Sequence, residues 1–72
     1  MGRAMAEYRL FCFDGTGRIL LADWVNAESN EAAITAARSM KDFTKCEVWQ
    51  SEHLVATVQG GRAIYAEFRS IV

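Results

Sequence analysis

The chain has 72 residues, of which 51% are hydrophobic, and eight Lys and Arg stand against nine Asp and Glu. This length allows a single domain with a thin core, the composition excludes a disordered chain, and no apolar run approaches the ~20 residues of a membrane-spanning helix. The net charge of −1 argues against tight non-specific binding of nucleic acid, which requires many cations that neutralise phosphates.

The first two predicted strands flank a glycine-rich connection. After residues 1–5, which we expect to be disordered, AEYRLFCF at 6–13 predicts one strand and RILLADWV at 18–25 predicts another. The four residues DGTG at 14–17 are typical of a hairpin loop. A phosphate-binding loop would require a helix directly after its glycines, and an apolar strand follows here. We therefore interpret this Gly-x-Gly as a turn.

A helix is predicted next, and it is the clearest element in the sequence. The polar segment NAESN ends the second strand, and either Ser29 or Asn30 is a good N-cap for a helix that runs to about Lys41. Helical spacing predicts one apolar face, formed by Ala33, Ile34, Ala37 and Met40. Small alanines on this face allow the helix to lie close to a sheet.

Further strands are predicted after the helix. TKCEVWQ at 44–50 alternates between apolar and polar residues, LVATV at 54–58 follows a turn, and RAIYAEFRSIV at 62–72 predicts a fifth strand. A short C-terminal helix or a tail remains the alternative for the last segment. The order predicts an α+β fold, ββαββ, with a mainly antiparallel sheet and one helix on one face. Whether the third strand lies beside the first or the second is left open.

The order of these segments resembles a group of small uncharacterised bacterial ββαββ proteins, mostly alphaproteobacterial. Their pattern is a YRLY-type strand, a D-x-x-G-x-I turn, a D-E-A-A helix and a VELW hairpin, and the match covers about residues 6–58. The matching residues are Tyr8, Arg9, Leu10, Asp14, Gly17, Ile19, Glu31, Ala32, Ala33, Glu47, Trp49, Val55 and Ala56. The resemblance implies the fold and no activity, and the segment from Gly60 onward lies outside it.

The two cysteines and the single histidine point to no metal or cofactor. Cys12 and Cys46 lie in apolar strands, so we expect buried, reduced thiols. A disulfide would require secretion, and the N-terminus does not read as a signal peptide, so we expect a cytoplasmic protein. His53 is the only histidine, and no CxxC or HxxxH spacing is present. We therefore predict no metal site and no cofactor.

One face of the sheet carries more aromatic residues than a solvated surface needs. In the first strand, Leu10 and Cys12 alternate with a second set that points the other way. One helix covers only one face, so the other face is left open. The sequence does not assign a place to Trp24. The candidate interaction residues on the open face are Arg9, Phe11, Phe13, Lys45 and Trp49.

These features predict a small non-catalytic protein that self-associates or binds another protein, with a homodimer as the first expectation. The alternative is a platform for single-stranded nucleic acid on the aromatic face, against which the net charge argues. An enzyme ranks third. His53 falls in a predicted exposed turn, Cys12 has no histidine nearby in sequence, and no Gly-x-Ser-x-Gly segment is present.

Overall fold

The computed structural model describes residues 4–40 and 43–65, which form a five-stranded antiparallel sheet with one helix packed against it. The predicted α+β fold, with a fifth strand, is confirmed. The elements are β1 (Ala6–Phe13), β2 (Ile19–Ala27), α1 (Asn30–Arg38), β3 (Lys45–Gln50), β4 (His53–Gln59) and β5 (Arg62–Tyr65). The predicted fifth strand continued to residue 72, and residues 66–72 lie outside the described residues, as do 1–3 and 41–42.

The strands lie in the order β2-β1-β3-β4-β5. The third strand therefore lies beside the first, which answers the question that the sequence left open. Hairpins join β1 to β2, β3 to β4 and β4 to β5, and every pairing is antiparallel. The remaining connection, from β2 to β3, passes over β1 and contains α1. This crossover places the helix against one face of the sheet.

The Gly-x-Gly segment folds as the predicted hairpin turn. Asp14 Oδ1 accepts hydrogen bonds from the Thr16 hydroxyl at 2.7 Å, the Thr16 N–H at 2.8 Å and the Arg18 N–H at 2.9 Å. Gly17 adopts a φ of 89°, a left-handed conformation that favours glycine. The side chain of Asp14 thus occupies donors that a phosphate loop would offer to its ligand.

Helix α1 begins at the predicted cap and ends earlier than predicted. Ser29 is the N-cap, and its hydroxyl accepts a hydrogen bond from the Ala32 N–H at 3.1 Å. The helix ends at Arg38 because Ser39 caps it, with its hydroxyl donating to the Ala36 carbonyl at 2.7 Å. The predicted apolar face is confirmed, since Ala33, Ile34 and Ala37 are buried and Met40 packs against the core.

The core lies between α1 and one face of the sheet, which we call the covered face. Alternate residues of the central strands are buried there, as the alternation predicted. The Tyr8 hydroxyl donates to Asn30 Oδ1 at 2.7 Å and ties β1 to the start of α1. The strand residues of the core are Tyr8, Leu10, Cys12, Ala27, Cys46, Val48, Ala56 and Val58.

Cys12 and Cys46 are joined by a disulfide, so the expectation of reduced thiols was wrong. Both side chains are buried on the covered face, as expected. Because β1 and β3 are neighbours, the two cysteines are direct partners in the antiparallel register, with their Cα atoms 3.9 Å apart. The sequence did not fix the strand order, and so it could not place one cysteine opposite the other.

Candidate binding face and pocket

The side of the sheet opposite α1, which we call the open face, carries the five residues predicted as an interaction surface. Strand pairing arranges its side chains in rows that cross the sheet. One row is Trp24, Arg9, Trp49 and Leu54; the next is Ala22, Phe11, Glu47, Thr57 and Ile64; the third is Ile19, Phe13, Lys45, Gln59 and Arg62. Phe11, Phe13 and Trp49 are each only partly buried. The structure therefore brings all five predicted residues to one surface.

Arg9 lies at the centre of a cation–aromatic cluster. Its register partners are Trp24 on β2 and Trp49 on β3, so a tryptophan flanks it on each side. The guanidinium carbon is 4.4 Å from the centroid of the Trp24 ring and 5.1 Å from that of Phe11. Such cation–π contacts are worth about 0.5–2 kcal/mol each. They hold the guanidinium against the sheet.

Glu47, one of the acidic residues on this surface, contacts Trp49 and Lys45. Glu47 Oε1 accepts a hydrogen bond from the Trp49 indole N–H at 3.0 Å, and Glu47 Oε2 lies 3.8 Å from Lys45 Nζ. Lys45 Nζ is also 5.1 Å from the centroid of the Phe13 ring. The carboxylate thereby fixes the Trp49 indole and pairs with Lys45. Within the described part of the chain, no carboxylate forms a salt bridge with Arg9.

The cluster lines a half-open pocket of about 270 Å³. Its lining residues are Arg9, Phe11, Trp24, Trp49 and Ser51. The Nε atom of Arg9 is buried, and it has no hydrogen-bond partner among the described residues. Buried donors without a partner are rare in folded proteins, and each one calls for an explanation. Ser51, in the turn between β3 and β4, has a φ of 54° and also lines the pocket.

Two pocket residues were missed by the sequence. Trp24 was left unassigned because β2 is apolar on both sides, and its place follows only from its pairing with Arg9. The hairpin itself contained a signal, since the short turn at 14–17 restricts which residues of β2 can lie opposite β1. Ser51 carried no signal, because a positive φ at a serine cannot be read from its neighbours. Of the predicted residues, Phe13 and Lys45 are on the open face but do not line the pocket.

The edge strands of the sheet also expose apolar side chains. On β2, Ile19, Leu20 and Trp24 are each more than half exposed, as are Ile64 and Tyr65 on β5. In the described chain, β2 pairs with β1 and with no other strand. The Trp24 N–H on this edge donates to Asp23 Oδ1 at 2.8 Å. A side chain therefore occupies a backbone donor that an added strand could have used.

Other features of the described residues suggest no competing site. His53 is exposed at the start of β4. Residues 4–40 and 43–65 contain no group of three or more His, Cys, Asp or Glu side chains arranged to hold a metal ion. In the same residues, no helix has the length and apolar character needed to cross a membrane.

Comparisons with known proteins add no assignment. None of the protein-family models, curated proteins or solved structures compared with the chain matches it. The resemblance to small bacterial ββαββ proteins therefore stays a prediction, and the function has to be argued from the geometry of the open face.

Proposed function

We propose that the protein is a non-catalytic module that binds through the open face of its sheet, and that its first partner is a second copy of itself. The observation that carries the proposal is the unequal cover of the two faces. Helix α1 buries one face, while Phe11, Phe13 and Trp49 on the other remain partly exposed around Arg9. Exposed aromatic clusters with polar neighbours are typical of interaction sites.

The size of the open face fits one partner. Strands lie ~4.8 Å apart and rise ~3.3 Å per residue, so five strands of about six residues give roughly 500 Å² of projected area. Protruding side chains raise the accessible area above this value. A standard interface uses about 800 Å² of accessible surface per partner. A second copy laid face to face would therefore cover most of the cluster, and it would enlarge a core that is thin for a 72-residue chain.

The open face is a better candidate for the self-association surface than the edge of β2. Pairing of two edges requires free backbone donors and acceptors along both strands. On β2 the Trp24 N–H is already bonded to the Asp23 carboxylate, in the middle of the strand. An added strand would have to break this bond. Packing of open faces leaves it intact and buries the Trp24 ring as well.

The pocket chemistry supports a binding role over a catalytic one. The described residues that line the pocket bring the Arg9 guanidinium, the Ser51 hydroxyl and two indole N–H groups as polar side-chain groups. A guanidinium keeps its proton in proteins, so Arg9 does not act as a general base. Among the described residues that line the pocket, no histidine, carboxylate or thiol is present to activate the Ser51 hydroxyl. Binding and orientation are the tasks that these groups perform.

Sedimentation equilibrium over a range of concentrations tests self-association. We expect a mass twice that of the 8.1 kDa chain. Trp24→Ala should weaken the dimer about tenfold or more, because Trp24 lies on the open face. Tyr65→Ala is the matched control: Tyr65 is 51% exposed against 55% for Trp24, and it pairs with Ala56 on the covered side.

Two results would count against the proposal. The mass of a single chain at every concentration up to the millimolar range would refute self-association. Equal weakening by Trp24→Ala and Tyr65→Ala would mean that the dimer does not form through the open face. Circular dichroism of both variants checks that each remains folded, which we expect since both side chains are mostly exposed.

A further inference from the structure

We propose that the Arg9 pocket binds one planar heteroaromatic ring that carries adjacent hydrogen-bond acceptors, the chemistry of a nucleobase and of guanine above all. This inference goes beyond self-association, although it uses the same face. It rests on three features of the described residues: an arginine Nε–H without an acceptor, aromatic side chains around it, and a pocket of limited volume.

The unsatisfied donor is the first feature. The Nε–H of Arg9 is buried and has no hydrogen-bond partner, and no salt bridge neutralises the guanidinium in the part of the chain that the structure describes. Its neighbours are rings, at 4.4 Å for Trp24 and 5.1 Å for Phe11. A buried donor left without an acceptor is destabilising. A ligand atom that accepts from Nε would remove this penalty once the rings beside the guanidinium shift to admit it, because Nε itself is buried in this conformation.

The walls define the shape of the ligand. Phe11, Trp24 and Trp49 are the apolar lining residues, and the Trp49 indole is held in place by its hydrogen bond to Glu47. Every nucleobase offers a flat face that stacks on aromatic side chains. A volume of about 270 Å³ lies just below the ~300–1,000 Å³ of sites for drug-sized ligands. The pocket is therefore suited to one ring system and excludes a folded peptide.

The acceptor pattern favours guanine. Arginine donates in a planar fork that matches two neighbouring acceptors. In guanine, O6 and N7 provide such a pair, and arginine bonded to both is the commonest specific contact to a base in protein–DNA complexes. Adenine presents one acceptor and one donor at the same edge. We therefore expect guanine to bind more tightly than adenine.

The net charge of −1 is compatible with a single base. Tight binding of a long strand needs many phosphate contacts, whereas one base needs an acceptor contact and a stacking surface. Lys45 is the other cation on the central strands of this face, and it is already near Glu47. With about one phosphate neutralised, log K should fall with log salt at a slope of roughly −0.7. A steep salt dependence would contradict binding by stacking.

Nuclear magnetic resonance provides a direct readout, because both tryptophans of the chain line the pocket. Each indole N–H gives its own signal in a ¹⁵N-labelled sample. The probes are GMP, AMP, ribose 5-phosphate and a guanine-containing single-stranded oligonucleotide. We expect saturable shifts of both indole signals with GMP, weaker ones with AMP and none with ribose 5-phosphate. A similar dissociation constant for GMP and the oligonucleotide identifies a free nucleotide as the ligand, and tighter binding of the oligonucleotide identifies a strand.

Variants assign the shifts to the pocket. Arg9→Lys keeps the charge but removes the planar fork, and we expect it to weaken GMP binding at least about tenfold. Trp24→Ala should weaken it roughly 5- to 100-fold by loss of stacking. Because the Trp24 side chain is 55% exposed, this variant should fold even if Arg9→Lys does not. Tyr65→Ala, on the covered side, should bind GMP as the wild type does.

The outcomes separate this inference from self-association. The sedimentation experiment contains no ligand, so finding a monomer would refute self-association without testing the pocket. The titration with GMP tests the pocket by itself. If the wild type is a dimer, the titration is repeated with Ile64→Asp, which places a charge on the open face outside the pocket lining. Absence of saturable shifts with GMP and the oligonucleotide at millimolar concentration, or equal shifts with ribose 5-phosphate, would overturn the proposal.

Discussion

The two faces of the sheet differ in burial, since one is covered by α1 and the other is partly exposed to solvent. On β1, Leu10 is fully buried beneath α1, while its neighbour Phe11 points to the open face and remains partly exposed. The covered face consists of aliphatic and small side chains, Tyr8 and a disulfide. The open face combines large rings with Arg9 and Lys45. One face serves stability, and the other has the composition of a binding surface.

The largest expected effect is the loss of a core side chain from the covered face. Leu10→Ala should cost about 3–5 kcal/mol, since a fully buried leucine leaves a cavity. Domains this small rarely have more than about 3–5 kcal/mol of stability, so we expect this variant to be largely unfolded. Circular dichroism and urea unfolding measure the effect.

The control for this prediction is the adjacent residue. Phe11→Ala should remain folded and cost no more than about 1.5 kcal/mol, because Phe11 is partly exposed on the open face. Comparable losses at the two positions would mean that the open face contributes to the core as much as the covered face does. The distinction between a stability face and a binding face would then fail.

The disulfide provides the next largest effect on the covered face. Cys12 and Cys46 are separated by 34 residues in sequence, and closing a loop of that length stabilises a fold by between about 3 and 4 kcal/mol in the chain-entropy description. Addition of a reductant should therefore lower the urea midpoint of the wild type. The double variant Cys12→Ala/Cys46→Ala should show no response to reductant. An unchanged midpoint for the wild type would contradict a stabilising role for the bond.

The sequence predicted which residues share a face, because side chains alternate along a strand. Leu10 and Cys46 on one side and Phe11 and Trp49 on the other follow from this period of two. Alternation is a local property, and it does not state which strands are neighbours. Two features that depend on strand order and register were therefore missed: the bond between Cys12 and Cys46, and the contact of Trp24 with Arg9.

The end of α1 was also misplaced, and for a local reason. The apolar spacing continues to Met40, so periodicity alone extended the helix to about Lys41. Ser39 ends the helix before that point, because its hydroxyl donates a hydrogen bond to the Ala36 carbonyl in the last turn. Serine at this position reads equally well as an ordinary helix residue. The N-terminus was easier, because two good cap residues, Ser29 and Asn30, precede an alanine-rich run, and the structure assigns the cap to Ser29.

The smallest expected effect lies in the hairpin turn, which belongs to neither face. Hydrogen bonds from the Thr16 hydroxyl, the Arg18 N–H and the Thr16 N–H lower the pKa of Asp14 below its usual value of 3.8. Because the pKa of Asp14 is lower in the folded state, its charged carboxylate stabilises the fold at pH values above the usual pKa. This stabilisation is lost as the pH falls through the lowered pKa. Stability from this group is therefore constant near pH 7 and decreases only below about pH 4.

Asp14→Asn removes this titration and leaves the turn length unchanged. We expect the difference in urea midpoint between wild type and variant to be constant from pH 7 to about pH 5 and to shrink below about pH 4. A difference that does not change with pH would mean that the charge of Asp14 plays no part. Self-association and GMP binding at neutral pH should be unaffected, because the turn lies outside both the open-face cluster and the pocket lining. A loss of either in Asp14→Asn would show that the binding surface extends beyond the open face to the β1–β2 turn.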